Sequence, residues 1–442
     1  MEEEGNKYNL LSTRDDSDID EYFMWTRNEK RKWLFTLFAG TSALYASRTS
    51  VPLLIPSISL ERNWSKTDSG TVLSSFFWGY TLTQVLGGYW SDRIGGQKVM
   101  MTAAVGWALI TFWMPQFICL FSNQAFSVNF VVMIRVLHGA FQGVHFPSMS
   151  SLTCQRLSEK ERASFFGVLT CGSAVGTLLT GSLGSYLLDC YGWPVVFYVM
   201  GFLGAVWTLL LRYYILAMDR RKAAIVSVPV KLHSSLNATD AVPVPWINLF
   251  KKLAFWACVI GHACQNNCFF LLLSWMPTYF HETFPHAKGW IVNVVPWLFG
   301  IVCTFTGKWL SERLLAKGFS VSSTRKIVES LCLGLQALSL SIISYYNNYF
   351  WALLNMTIAI GASGFHSNAI LVNPQDLAPQ HSGSVFGLMN TVGAVPGFLG
   401  VYLAGYMLEV TQNWAAVFHT TALINIFGGI VFILFGSGNT IL

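Results

Sequence analysis

The chain has 442 residues, of which 53% are hydrophobic and only 11% charged, and it carries a net charge of +6. At this length such a balance excludes a soluble globular protein and a disordered chain, and leaves a membrane protein with many spans. The positive charge sits in the segments between apolar runs, so it follows from topology and calls for no nucleic acid.

Residues 1–32 are rich in acids, lack an apolar core and read as a disordered tail on the cytosolic side rather than a cleavable signal. Within them Tyr8-Asn9-Leu10-Leu11 fits a tyrosine-based signal for a sorting adaptor. Apolar runs of spanning length follow near 34–58, 70–90, 99–121, 127–152, 164–188 and 194–216, then 253–280, 289–310, 327–346, 350–373, 384–408 and 414–436. The expected organisation is a six-helix half over 33–217, a cytosolic linker over 218–250, a second half over 251–436 and a cytosolic tail over 437–442. Of the 28 Lys and Arg residues, 23 lie on the side of both termini and three (Arg62, Lys66, Lys288) on the other, with Arg48 and Arg135 inside spans. Both termini are therefore expected in the cytosol. Asn63-Trp64-Ser65 is a glycosylation sequon on the lumenal side, in a loop too short to favour occupancy, and Asn237 heads another on the wrong side. The nine cysteines show no CxxC spacing and no companion histidines, so no metal site is expected, and Cys264 and Cys268 read as packing residues.

Arg135 stands in VNFVVMIRVLHGAFQGVHFPSM, too far from either end of its span to reach water easily. At 100° per residue Arg135, His138, Gln142 and His145 fall within an arc of about 80°, beside a strip formed by Gly139 and Gly143. The polar arc suits a substrate pathway and the small residues suit close helix packing. The two histidines read as hydrogen-bonding groups that can also titrate.

The halves repeat at an offset of 220 residues. GGYWSDR at Gly87–Arg93 returns as GKWLSER at Gly307–Arg313, and Gln155, Phe166, Gly167 and Tyr186 return as Gln375, Phe386, Gly387 and Tyr406. Parallel halves around a midplane site are the architecture of an alternating-access carrier. The same offset sets Asn355, Ile358, Ala362 and Phe365 against the polar arc, so the cation belongs to one half. No GxxxxGK[ST] occurs, and no acid pair or activated nucleophile is visible, so neither a phosphate loop nor an enzyme is expected and there are no catalytic residues.

GGYWSDRIGGQK resembles the loop signature between the second and third spans of the major facilitator superfamily, which implies an all-α membrane fold of twelve transmembrane helices in two six-helix halves. The resemblance makes Asp92, Arg93 and Lys98, with the echo Glu312 and Arg313, gating residues rather than substrate ligands. SSFFWGYTLTQVLGGYWSDRIGG and RVLHGAFQGVHFPSM are similar to the organic-anion transporters of that superfamily, which include vesicular glutamate, sialic acid and phosphate carriers. FFLLLSWMPTYFHETFPHAKGWIVNVVPW and VNPQDLAP look most like its nucleotide-carrying members, and the likeness covers nearly all the chain beyond the acidic tail. It places Arg135 at the fourth-span arginine needed for anion transport and Arg48 at the arginine of the first span. Gln142 stands where the glutamate carriers have an intramembrane glutamate, Gln265 where they have an arginine and Leu73 where they have a histidine.

The resemblance implies loading of nucleotides such as ATP, ADP or GTP from the cytosol into secretory vesicles or lysosomes, dependent on a vesicular proton pump and with chloride as a modulator. A tetra-anion entering a lumen 100 mV positive gains roughly 9 kcal/mol, about six decades of accumulation. Potential alone therefore suffices, and protons are not required. The alternatives are a proton-coupled organic-anion or phosphate carrier, then an anion channel or a sensor that does not transport; counterflow separates these last two from a carrier. Arg48 and Arg135 are candidates for the phosphates, with His138, Gln142, His145, Gln265 and Asn266 around the cavity. Phe77, Trp78, Tyr80 or Phe269 are candidates to stack on a base.

Overall fold

The computed structural model describes residues 24–121, 123–157, 159–226, 245–345, 348–379 and 382–441. Tyr8–Leu11, Asn237 and most of the expected linker lie outside the described residues. Among those described, every regular element is a helix. In chain order the spans are Arg27–Arg62, Lys66–Ile94, Gly96–Cys119, Gln124–Gly143 continued by His145–Arg156, Glu159–Leu179 continued through Tyr191, and Trp193–Val226. The second half follows as Leu253–Thr283, Gly289–Ala316, Val321–Ile343, Tyr349–His366, Ser382–Thr411 and Trp414–Phe435, with the short helices Trp246–Phe250 and Asn373–Leu377 on the side of the termini.

Polar caps start these helices where the apolar runs begin. Thr26 and Glu29 form a reciprocal capping box, as do Ser65 and Asp68, while Asn123, Ser320, Asn348 and Asn413 each accept a first-turn amide. The Thr26 cap begins the first helix at Arg27, inside the tail expected to be disordered to residue 32. Trp25 reinforces it, stacking on Trp33 and donating its amide to the Arg156 carbonyl. The sixth helix likewise runs past residue 217 to Val226, and the tail at 437–441 is pinned by bonds from Asn373 to the Ser437 carbonyl and from the Ile441 amide to Leu377.

Among the described residues, eight helices are long and apolar enough to cross a membrane by length and composition alone. The first and second fall short because they are more polar. On the first, hydroxyls such as Thr41, Ser42 and Ser50 return hydrogen bonds to carbonyls of their own helix, which lets polar residues sit in a buried span. Outward faces carry exposed Leu82, Phe126, Leu209 and Leu423, as a lipid-facing surface requires.

The cores show which way the bundle is open. One apolar cluster joins the halves on the side away from the termini, where Phe76, Phe77 and Ile58 belong with Trp275, Met276 and Phe418. On the side of the termini each half keeps its own core, around Trp33, Met149 and Leu211 in the first and around Phe255, Leu377 and Val385 in the second. The closed side is also clamped by polar contacts between halves. Lys66 pairs with Glu282, the Lys66 amide donates to Glu409 at 2.8 Å, and Trp414 donates to Glu282. Gly70 and Gly405 meet backbone to backbone within this clamp, where a Cβ on Gly405 would overlap the Lys66 carbonyl and one on Gly70 would be tight against Gly405.

Candidate functional site

The fourth span holds Arg135 against the second because glycines remove the side chains between them. A Cβ on Gly139 would overlap the Phe76 carbonyl, and one on Gly79 would overlap that of Val136. That contact brings Arg135 onto Phe76, with its guanidinium 4.9 Å from the ring centre, and lets its Nε donate to the Val72 carbonyl at 3.4 Å. Arg48 comes from the first span, where Pro52 withholds an amide from the Arg48 carbonyl and loosens the helix. Its guanidinium lies among Tyr45, Phe76 and Tyr80, 4.4 to 5.0 Å from their ring centres. Both arginines are buried, and among the described residues neither has a carboxylate partner. The Arg48 Nη2 has no hydrogen-bond partner at all.

Neutral groups hold the rest. Arg48 Nε donates to Gln142 Oε1 at 3.1 Å, and Arg135 Nη1 meets His138 Nδ1 at 3.1 Å. A guanidinium can only donate, so His138 Nδ1 must accept, which makes the imidazole neutral with its proton on Nε2. Ser47 Oγ at 3.0 Å and Thr111 Oγ1 at 3.2 Å are the acceptors in reach of that proton, while the Gln142 amide nitrogen, itself a donor, lies 3.1 Å from the same Nε2. His138 thus acts as a spacer for Arg135 and cannot take a proton while that contact stands.

The structure regroups the expected arc. Gln142 is tied to Arg48 rather than to Arg135. His145 leaves the group, because the fourth helix breaks at Val144 and His145 starts a new one, where it meets Thr41 Oγ1 at 3.2 Å and the Trp207 ring. Pro147 causes the break, since it has no amide to offer the Gly143 carbonyl and its ring crowds it. Phe77 is packed against Phe270 and beneath Gly397, so it is not free to stack on a base. Trp78 lies about 160° around the helix from Phe76 and Tyr80 and is exposed, away from the arginines. Phe269 makes edge contacts with Phe270 and Trp297. In the seventh span Gln265 is buried and Asn266 half-buried, Asn266 bonding His262 and the Gly393 carbonyl.

Among the described side chains of the expected gate, none bonds the other half. Arg93 and Lys98 are exposed, the Arg93 guanidinium resting on Tyr89 of its own helix. Glu312 faces Lys308 on its own helix and Arg313 is exposed. The Asp92 side chain lies outside the described residues.

Tyr45 and Phe76, whose rings face the arginines, Ser47 and Thr111, which wrap His138, and Glu329, an acid buried in the ninth span, were not expected from the sequence. Glu329 had a legible signal, a lone charge within an apolar run. The other four had none, because aromatic and hydroxyl residues are common throughout this chain.

A family model of the Major Facilitator Superfamily matches residues 37–401. Over 417 residues the chain is 40% identical to the voltage-gated purine nucleotide uniporter SLC17A9 of Mus musculus, covering 94% of this chain and 92% of that protein. The Homo sapiens protein of the same name is also 40% identical, with 94% of each covered. The chloroplastic ascorbate transporter of Arabidopsis thaliana is 31% identical over 424 residues, covering 95% of this chain and 77% of that one. Among solved structures, a bacterial homologue of the human lysosomal transporter Spinster, in an inward-facing and occupied conformation, shares the fold with a TM-score of 0.71 at 13% identity, covering 93% and 97% of the two chains. The D-xylose-proton symporter does so with a TM-score of 0.69 at 16% identity, covering 92% and 99%. The repeated halves, the one-sided opening and these likenesses agree, and the chain belongs to the Major Facilitator Superfamily as a transporter rather than an enzyme.

Proposed function

We propose that this carrier moves nucleotides such as ATP, ADP and GTP from the cytosol into the lumen of secretory vesicles or lysosomes, as a uniporter driven by a lumen-positive potential. The observation that carries the reading is the pair Arg48 and Arg135, two buried cations without a carboxylate between them and with one guanidinium nitrogen unpartnered. Such a pair leaves positive potential for phosphate oxygens, and a planar guanidinium can grip them with two parallel bonds. The 40% identical relatives named as purine nucleotide uniporters support the substrate class. The excess of Lys and Arg on the side of the termini supports a cytosolic placement for both ends, so the open side faces the cytosol and the clamped side the lumen. A vesicular proton pump would supply the potential, and chloride, as a small anion, would act on the same arginines as a modulator.

The test is purified protein in liposomes. An inside-positive potential without a pH gradient should accumulate ATP, and an acid interior at clamped zero potential should accumulate little. Glutamate, sialic acid and phosphate in parallel assays report the selectivity. Uptake that follows the pH gradient at zero potential would overturn the reading.

A further inference from the structure

A second buried polar chain runs through the C-terminal half, and the anion site does not use it. Glu329 lies in the middle of the ninth span, 1% exposed, with both carboxylate oxygens within 3.1 Å of His366 Nδ1. His366 Nε2 is 2.9 Å from His262 Nδ1, and His262 Nε2 is 3.1 Å from Asn266 Nδ2, which also donates to the Gly393 carbonyl at 3.0 Å. At the 220-residue offset Leu109, Phe146 and Ser42 replace Glu329, His366 and His262, so this chain belongs to one half, as the arginines belong to the other.

Hydrogen-bond accounting fixes its protons. The Gly393 carbonyl only accepts, so the Asn266 atom facing it is the amide nitrogen, and His262 Nε2 must accept from that nitrogen. His262 then carries its proton on Nδ1 and gives it to His366 Nε2. His366 in turn carries its proton on Nδ1 and gives it to Glu329. Both imidazoles are neutral and every donor points from Asn266 toward the carboxylate. Glu329 accepts from one neutral donor only, so a negative charge on this buried carboxyl is uncompensated and a proton there removes its cost. The neighbouring groups do not compensate it. Arg325, one turn away, is committed to Asp376 and the Asn368 carbonyl, and Cys332 and Cys258 are thiols. Cys303 of the eighth span is a thiol too, and His419 of the twelfth bonds the Ser341 carbonyl toward the far end.

We propose that Glu329, His366 and His262 form a one-proton relay from the cavity, with Glu329 as its proton-binding site, and that its occupancy switches the contact between the seventh and eleventh spans. One proton joins His262 Nε2, the Nδ1 proton of His262 passes to His366 Nε2, and the Nδ1 proton of His366 passes to Glu329. The carboxylate becomes a carboxylic acid, and both imidazoles remain neutral with their tautomers reversed. His262 Nε2 now bears a hydrogen facing the amide nitrogen of Asn266, so Asn266 must let go of Gly393. Gly393 is a glycine because a Cβ there would overlap both His262 and Asn266. On the same helix Asn390 faces the His262 ring and donates to Gln84 of the other half at 3.4 Å, which carries the switch to the boundary between halves. Here the proton sets the rate of the conformational change, while the potential on the anion remains the driving force of the function proposed above.

Infrared difference spectroscopy of the purified protein in lipid, without nucleotide, tests the site independently of any substrate. Acidification should add a carboxylic C=O band in the wild type and in His262→Gln, and Glu329→Gln should lack it. ATP counterflow at zero potential, with equal pH on both sides, should change about threefold or more between about pH 6 and 8 in the wild type, and both variants should flatten that profile. The relay is overturned if the wild type shows no titrating carboxylic band, or if either folded variant keeps the wild-type pH profile.

Discussion

Two arginines share the proposed anion site, and they are held differently. Arg135 is fixed through His138 and the Val72 carbonyl, while Arg48 keeps one guanidinium nitrogen free among three aromatic faces. Arg135→Ala should lower ATP uptake by on the order of 100-fold, the size of a lost charge-assisted contact, without loss of insertion. Arg135→Lys keeps the charge but loses the fork, and should restore little. Normal uptake by a correctly inserted Arg135→Ala protein would remove this residue from the site. Gln142 gives a sharper case, because its amide oxygen accepts from Arg48 Nε at 3.1 Å. Gln142→Glu would put a carboxylate on that arginine and neutralise the free donor, so uptake should fall, and fall least at low pH, where the acid is protonated. A pH-rate series that shows the variant weakest at low pH would contradict this assignment of partners.

Between elements, the glycine contact of the second and fourth spans sets the position of Arg135. Gly139→Ala forces a methyl group into the Phe76 carbonyl and should destabilise the protein by about 1–3 kcal/mol, seen as a lower melting temperature in detergent. The same substitution at Gly334, which has open space around it, should leave the melting temperature nearly unchanged and serves as the control. The two ends of the bundle give a second pair of tests. If Asp92 and Glu312 act as gating residues, their loss should alter turnover more than nucleotide affinity. Glu409→Ala removes an acceptor from the clamp between the halves and should increase labelling of cysteines introduced near Gly70. An Asp92→Asn protein with weakened equilibrium binding and unchanged conformational populations would make Asp92 a ligand instead.

For the whole molecule, asymmetry between halves matters more than the repeat. The arginines lie in one half and the Glu329 relay in the other, and an apolar core joins the halves on the side away from the termini. With about 2.3 kcal/mol per charge per 100 mV, a tetra-anion should accumulate more steeply with imposed voltage than a di-anion, by roughly 3.4 decades per 100 mV. Accumulation ratios measured for ATP and phosphate at several clamped voltages check this, and equal slopes for the two would overturn a potential-driven uniport.

Much of the fold was legible because membrane insertion is read from local properties. Runs of apolar residues, the bias of Lys and Arg, and the 220-residue echo of GGYWSDR are properties of the chain itself. A buried arginine is equally local, since the cost of a charge in a span does not depend on its neighbours, and this singled out Arg48 and Arg135. The helix break at Pro147 was written there too, but periodicity carried His145 along the arc as if the helix continued. Partners were different, because a hydrogen bond depends on which span lies opposite, at a resolution finer than a helical turn. Only tertiary structure gave Arg48 to Gln142, buried Phe77 under Phe270, and turned Trp78 away from the cavity. It alone joined Glu329, His366 and His262, from three spans, into a chain whose proton positions follow from one glycine carbonyl.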